Sequence, residues 1–232
     1  MAMSPINILI VVPACNEEDS IGDTISSIRQ SIAHCSKAYL NATIMVVCDS
    51  CEDDTYFEAE RALVGCSSLV VKVNFRNVGR TRDWGVRLGL SHQPDTDWIA
   101  FTDADSLVLN DWMSRQVEAY RRGYDAFFGR VQFDSSSPVL EQFRSNYQSQ
   151  THRYIHGANM GLSLSAYLKV GGIPLLTAHE DKFLVDRLEE QNLNLFWDSS
   201  EAVQTSVRMV GRAPEGFAAT LAQFAQSYTS FI

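Results

Sequence analysis

Short apolar runs alternate with amphipathic stretches along the first half of the chain, a pattern typical of alternating strands and helices. Residues 6–12 (INILIVV) are continuously apolar, as expected for a strand that is buried on both faces, and we expect Pro13 to end it. Similar runs predict further strands at residues 43–48, 69–74 and 98–102. These strands would form the centre of a sheet.

The stretches between the strands have the periodicity of helices. Four isoleucines fall on one helical face: Ile21, Ile25, Ile28 and Ile32. The pattern predicts helices at residues 20–35, after the polar turn at 49–54, and at 80–91, where Trp84 and Leu88 lie on one side. Strands and helices in this alternation indicate an α/β fold with a mainly parallel central sheet flanked by helices.

The second half of the chain is less regular. The predicted elements are a helix at 111–122, a strand at 125–133, a helix after the Ser-rich turn at 134–138, a short helix framed by the glycine segments 156–161 and 171–172, a helix from about Glu180, a strand at 194–197 and a helix at 214–228. No linker separates these elements from the first half, so we expect a single domain over residues 1–232.

Size and charge exclude some classes of function. The chain has 232 residues and a formal net charge of -9, which is unfavourable for binding nucleic acid. An anionic ligand would also be disfavoured unless a cation accompanied it. The apolar run at 6–12 is far shorter than the roughly 20 residues that span a bilayer, and it has neither a basic flank nor a cleavage site. We therefore expect a cytoplasmic protein without an integral membrane segment.

The five cysteines do not suggest a disulfide framework, because their number is odd and no secretion signal accompanies them. Cys48 and Cys51 form a CxxC motif. This motif is either half of a zinc site or a redox pair, or simply two small residues at the end of a strand. The interpretation as two small residues at the end of a strand is favoured, since no second CxxC and no paired histidines supply further zinc ligands.

The segment FTDADS (101–106) contains the clearest candidate chemistry. Asp103 and Asp105 follow an apolar strand and, in extended chain, point to the same side. Two such carboxylates repel each other unless a cation lies beside them. Mg²⁺ or Mn²⁺ bridging to a diphosphate would remove the repulsion and let an acidic protein hold an anionic ligand. A solvated turn is the alternative, and the motif alone is weak.

Further segments resemble, in order, those of the family 2 glycosyltransferases. They are VVPACNEE (11–18), VVCDSCEDDT (46–55), RNVGRTRDWG (76–85), FTDADS (101–106), HGANMGLSLSAYLKVGGIP (156–174) and HED (179–181). The resemblance covers about residues 6–190. It implies the GT-A fold and metal-dependent, inverting transfer from a nucleotide-diphosphate-sugar to an acceptor hydroxyl. Residues 1–110 would then bind the donor and residues 111–232 the acceptor.

The resemblance also assigns roles to single residues. Those assigned to the nucleotide-sugar are Pro13, Asn16, Glu17, Asp49, Arg82 and Asp103. Glu17 would accept hydrogen bonds from ribose, Asp49 from the base, and Arg82 would reach the nucleotide or its phosphates. The metal, Mg²⁺ or Mn²⁺, would be held by Asp105 and Asp103, with His179 as a third ligand or an acceptor contact.

The acceptor side is assigned to the HED segment. Asp181 would be the general base, and Glu180 would hold hydroxyl groups of the acceptor or sugar. The alternative is that both acids only begin a helix, where the dipole favours them. Asn159 and Gly161 would lie near the sugar or serve backbone geometry alone. Arg208 and Arg212 would either bind the diphosphate or lie on the surface, and the sequence leaves both alternatives open.

The chain departs from the family pattern at several places. Ala14 and Cys15 stand where the family often has an aromatic residue, and Arg80 stands where it often has lysine. A QxxRW motif and transmembrane helices are absent from the sequence, which disfavours processive polysaccharide synthesis.

Other functions also remain open. A sugar nucleotidyltransferase would have a glycine-rich basic loop where this chain has the acidic PACNEE. A dinucleotide dehydrogenase would have GxGxxG after the first strand. A non-catalytic nucleotide-sugar-binding protein and a retaining transferase are further alternatives.

Overall fold

The computed structural model describes residues 4–35, 40–132, 141 and 155–205. Several predictions fall outside these ranges: the turn at 134–138 and the helix after it, the helix at 214–228, and Arg208 and Arg212. Within the described ranges, no helix is long and apolar enough to cross a membrane.

The described strands form one mixed sheet. They are β1 (Ile6–Ala14), β2 (Leu40–Asp49), β3 (Ser68–Val73), β4 (Trp98–Phe101), β5 (Ser106–Leu107), β6 (Ala126–Gln132), β7 (Met160–Ser163) and β8 (Leu195–Thr205). Their order is β3-β2-β1-β4-β7-β6-β8-β5. The helices are α1 (Ile21–His34), α2 (Thr55–Ala62), α3 (Val78–His92), α4 (Trp112–Arg121), α5 (Leu164–Lys169) and α6 (Glu180–Glu190), with a 3₁₀ helix at Gly157–Asn159.

The first half of the sheet has the predicted parallel arrangement. Strand β1 pairs in parallel with β2 on one side and with β4 on the other, and β2 pairs in parallel with β3. Helices α1, α2 and α3 lie in the connections between these strands, as parallel pairing requires. The carboxyl ends of β1, β2 and β4 therefore meet at one edge of the sheet, where ligands bind in open α/β folds.

The core lies on both faces of the sheet. Along β1, Ile8 and Ile10 pack into the apolar cluster that contains α1 and α4, whereas Leu9 and Val11 pack into the cluster that contains α3, α5 and α6. All four side chains are fully buried. This alternation explains why the first strand is continuously apolar rather than alternating with polar residues.

Strand β1 is longer than predicted, because Pro13 does not end it. Pro13 is paired with Val47 of β2, and the strand continues to Ala14. On the other side, the pairing with β4 stops at Val11 opposite Phe101. Past that point β1 is locally an edge strand, and an edge position tolerates a residue without an amide hydrogen.

Strand β7 was missed by the sequence analysis, which expected only a short helix between the glycine segments. The strand follows the 3₁₀ helix and inserts antiparallel between β4 and β6, with Gly161 opposite Ala100. A side chain at Gly161 would collide with the indole of Trp98 and the amide of Gln116. The glycine is thus needed for a strand to pack so closely over α4, and α5 follows the strand. Strand β8 also runs well beyond the predicted 194–197.

Helix α3 packs against the sheet through a face that the partly buried Leu88 borders and that excludes Trp84. Trp84 is 44% exposed, whereas the buried face contains Val86, Gly85 and Gly89 together with polar residues. A Cβ at Gly85 would lie 2.7 Å from a methyl group of Val11. The absence of side chains at the glycines lets α3 approach β1 closely, and this close contact brings the polar residues of its first turns to the edge of the sheet.

Candidate functional site

The loops after β1 and β2 are tied together at the carboxyl edge of the sheet. The side-chain oxygen of Asn16 accepts a hydrogen bond from the Glu52 backbone amide at 2.7 Å, and the Glu17 backbone amide donates to the Thr55 hydroxyl at 2.7 Å. The Glu17 side chain is mostly buried and accepts from the Ser20 hydroxyl at 2.5 Å. Asn16 and Glu17 are therefore held in place by the protein itself, with Pro13 half-buried at the end of β1.

Asp49 organises the segment that follows β3. Its carboxylate accepts hydrogen bonds from the amides of Phe75, Arg76 and Asn77 and from the Thr81 hydroxyl, at 2.7–3.0 Å. Burial raises the pKa of the Asp49 carboxyl, but these hydrogen bonds outweigh burial and the pKa is lowered. A carboxylate has about four acceptor sites, so contact with a nucleotide base would have to replace one of these bonds.

Arg82 joins predicted donor and acceptor residues. It lies in α3 with its side chain 3% exposed, and its two terminal nitrogens pair with Asp103 after β4 and with Glu180 at the start of α6. A side chain at Gly157 would collide with the guanidinium, so the arginine lies directly against the backbone of the 3₁₀ helix. Both terminal nitrogens are thus engaged by carboxylates, and the contact of Arg82 with the nucleotide stays a prediction.

The two aspartates of the DxD segment lie in the turn between β4 and β5. Asp103 is 36% exposed on its side chain, and Asp105 is half-buried. Between them Ala104 is buried, and its carbonyl accepts a hydrogen bond from the Thr24 hydroxyl of α1 at 2.8 Å. The turn that carries both carboxylates is therefore anchored to a core helix.

Within the residues that the structure describes, no three or more His, Cys, Asp and Glu side chains are grouped so that they could hold a metal ion. His179 is exposed, and its backbone has a left-handed conformation, with φ of 60°, immediately before α6. Mg²⁺ in phosphate-transferring sites is bound by one or two carboxylates plus phosphates rather than by a cage of protein ligands. The residues Asp103 and Asp105 fit that kind of site, in which the ligand supplies the remaining oxygens.

Asp181 lies beside the Arg82 cluster. Its carboxylate accepts a hydrogen bond from the Gly157 amide at 3.0 Å and is half-buried in the first turn of α6. Gly157 therefore contacts Asp181 and lies against Arg82, which in turn pairs with Glu180 and Asp103. The role of Gly157 was missed, although the glycine-bearing segment HGANMG was the signal that could have indicated it.

His156 precedes Gly157 and lies within electrostatic range of Asp103. Burial lowers the pKa of His156 to about 4, although the negative charge of Asp103 acts in the opposite direction. The imidazole is therefore neutral near pH 7, and it can line the site as a polar group without adding charge.

Asn159 and Gly161 have structural contacts. The side-chain oxygen of Asn159 accepts a hydrogen bond from the Trp112 indole at 3.0 Å, and its side-chain amide donates to the Arg130 backbone carbonyl at 2.8 Å. Asn159 is 3% exposed. These bonds link the 3₁₀ helix to α4 and β6, and they favour the interpretation of both residues as supports of the backbone.

A second polar cluster, centred on Asp83, supports the segment that leads to α6. The sequence analysis did not predict it. Asp83 accepts hydrogen bonds from the Tyr167 hydroxyl at 2.7 Å and the Ile173 amide at 3.0 Å, and it pairs with Arg87. The cluster fixes the turn at Gly172, where φ is 91°. A polar residue on the buried face of α3 was the available signal.

Comparisons with known proteins agree with this geometry. A family model described as Glycosyl transferase family 2 matches residues 9–173. No curated protein sequence matches the chain significantly.

Several solved structures share the fold. S. aureus TarS 1-349 in complex with UDP-GlcNAc has a TM-score of 0.68 and 13% identity, over 91% of this chain and 62% of that one. The mannosyltransferase PcManGT from Pyrobaculum calidifontis, in complex with GDP-Man and Mn²⁺, has a TM-score of 0.69 and 16% identity, over 90% of this chain and 59% of that one.

Glucosyl-3-phosphoglycerate synthase from Mycobacterium tuberculosis, in complex with Mn²⁺, UDP-Glc and phosphoglyceric acid, has a TM-score of 0.60 and 18% identity, over 88% of this chain and 72% of that one. At these identities the likeness shows the fold, and the predicted GT-A fold is confirmed. The chain spans about 62% of the length of the TarS fragment.

Proposed function

Since the chain belongs to glycosyl transferase family 2, we propose that it moves a sugar from a nucleotide-diphosphate-sugar to an acceptor hydroxyl, with inversion at the anomeric carbon. The family and its enzyme class, glycosyltransferase, agree with the sequence prediction. The observation that carries the proposal is the Arg82 cluster, in which Asp103 from the proposed donor half meets Glu180 from the proposed acceptor half. Residues 1–110 and 111–232 would form these halves.

The donor would lie along the edge formed by the loops after β1, β2 and β4. Glu17 and Asn16 would face the ribose. Hydrogen bonds to Thr55 and Glu52 hold their loop in a fixed position for this contact. Asp49 would act mainly by fixing the segment after β3, since protein donors occupy its carboxylate. The structures solved with UDP-GlcNAc and GDP-Man support a nucleotide-sugar as the donor class.

Asp103 and Asp105 would hold Mg²⁺ or Mn²⁺ together with the donor diphosphate. The metal would supply neutralisation of the charge that develops on the departing diphosphate. The anchored turn at Ala104 supports this assignment, because it presents both aspartates from a fixed backbone. The exposed His179 would contact the metal or the acceptor.

Asp181 would accept the proton of the attacking hydroxyl. Its carboxylate accepts a hydrogen bond from the Gly157 amide, and this bond would hold the carboxylate beside the Arg82 cluster. Glu180 would orient hydroxyl groups only indirectly, since Arg82 engages its carboxylate. The acceptor class is a hydroxyl-bearing glycan, lipid-linked sugar or small molecule, and a cytoplasmic location stays a prediction.

A transfer assay with a panel of nucleotide-sugars tests the function. The wild type should release nucleoside diphosphate in the presence of acceptor, and nuclear magnetic resonance of the product should show an inverted anomeric centre. Asp181→Asn should bind donor normally and lose at least about 100-fold in turnover. Asp186→Asn, an exposed position in the same helix, should leave turnover unchanged.

Other outcomes separate the alternatives. Donor binding without turnover would favour a non-catalytic binding protein, and release of pyrophosphate from a nucleoside triphosphate would favour a nucleotidyltransferase. Retained turnover in Asp181→Asn would remove Asp181 as the base.

A further inference from the structure

Both cysteines of the CxxC motif lie next to Ala14, the last residue of β1. Cys48 is the penultimate residue of β2 and is 1% exposed. At Ser50 the backbone turns with φ of 57°, and this turn folds Cys51 back toward the strand. The Cys51 thiol donates to the Ala14 carbonyl at 3.5 Å, and Ala14 is the neighbour of Cys48 in the β1–β2 pairing. Cys48 belongs to the apolar cluster around α1, and Cys51 packs against the same cluster.

The two sulfurs differ in their chemistry. The neighbouring Cys48 thiol and the hydrogen bond from the Asn16 amide lower the pKa of Cys51 to about 7, against the effect of burial. The neighbouring Cys51 side chain and burial raise the pKa of Cys48. Cys51 is half-buried and so retains access to solvent. The pair therefore has an accessible nucleophilic sulfur next to a protonated, buried one.

We propose that Cys48 and Cys51 form a reversible oxidation site that reacts with a small-molecule disulfide such as oxidised glutathione. The Cys51 thiolate attacks one sulfur of the reagent, a mixed disulfide forms, and one glutathione thiolate leaves. The Cys48 thiol then loses its proton and attacks the Cys51 sulfur, which releases the second glutathione. In the balance, two protein thiols are oxidised to one disulfide, and one glutathione disulfide is reduced to two thiols.

Oxidation would also change the loop after β1. The Asn16 amide donates to the Cys51 sulfur at 3.4 Å. A disulfide sulfur is a weaker acceptor than a thiolate, so this amide would lose much of its protection. The oxidation site rests on the contacts around Cys51 and is independent of the proposed sugar transfer.

Alkylation and peptide mapping of the full-length chain test the site. In the reduced protein at pH 7, iodoacetamide should modify Cys51 about tenfold faster than Cys66, because an ordinary thiol is mostly protonated at that pH. Cys66 is a matched reference, since it is also half-buried and lies outside the CxxC motif.

After incubation with oxidised glutathione, a Cys48–Cys51 disulfide should replace two alkylation sites, and reduction should restore both. Cys48→Ser should stop at a mixed disulfide on Cys51, whereas Cys66→Ser should form the internal disulfide as the wild type does. Hydrogen exchange of the Asn16 amide should accelerate at least about threefold on oxidation.

Three results would each overturn the proposal. The first is equal rates of alkylation at Cys51 and Cys66, and the second is a disulfide that joins Cys51 to Cys15 instead of Cys48. The third is a folded wild-type protein that keeps both thiols in excess oxidised glutathione. The wild-type mapping decides the matter even where Cys48→Ser does not fold.

Discussion

The charge cluster at Arg82 gives the sharpest test of how the site is held together. Arg82 and Glu180 have side chains 3% and 6% exposed, whereas Asp103 is 36% exposed. Replacement of Arg82 by Met would leave the Glu180 charge buried without a partner, and breaking a buried pair in this way costs about 3–5 kcal/mol. Asp103 would contribute much less, because water can solvate it.

The free energy of unfolding, measured by urea denaturation at pH 7, reads out this cost. The double variant Arg82→Met/Glu180→Gln should recover most of the loss, because a neutral amide carries no buried charge. Arg61→Met is the control: Arg61 pairs with Glu58 but is 77% exposed, and its loss should cost less than about 1 kcal/mol. The buried-charge reasoning is wrong if the free energy of unfolding of Arg82→Met lies within about 1 kcal/mol of the wild-type value. It is also wrong if adding Glu180→Gln restores none of the lost stability.

Two further predictions concern neighbouring residues. Gly157→Ala should destabilise the protein by about 1–3 kcal/mol in urea, since the new methyl group collides with Arg82, whereas Gly22→Ala meets no atom within 4 Å and should be neutral or stabilising. The pKa of Asp49 is lowered by folding, so its stabilising contribution is complete above the unfolded value of about 3.9 and is lost as the pH falls below it. Asp49→Asn should therefore flatten the acid limb of the unfolding free energy; an unchanged limb would contradict this.

Local patterns predicted the parallel half of the fold well. The run at 6–12 and the isoleucines of α1 are signals contained within one element, and the buried strand and helix agree with them. Strand β7 gave no comparable signal, because four residues carry little periodicity and their partners in β4 lie far away in the chain. Pro13 was misjudged because its tolerance depends on where the neighbouring strand ends.

The candidate site shows the same division between residue types and contacts. The resemblance to the family 2 glycosyltransferases assigned roles to Asp49, Arg82 and Glu180, but it did not indicate their partners within the protein. The bond between Arg82 and Glu180 joins residues 98 positions apart, and Asp49 reaches residues 26–32 positions away. Such partners are set by the packing of α3 against the sheet, which local propensity does not encode.

The central claim is that carboxylates at one edge of the sheet hold a cation that in turn holds a nucleotide-diphosphate-sugar. Thermal unfolding with a panel of nucleotide-sugars, with and without Mn²⁺, tests it most directly. One donor at 100 times its dissociation constant should add about 2.7 kcal/mol of stability in the presence of Mn²⁺. The gain should vanish with a chelator and in Asp105→Ala, but persist in Asp186→Ala. A gain that is independent of metal and of Asp105, or no gain with any donor, would contradict the claim.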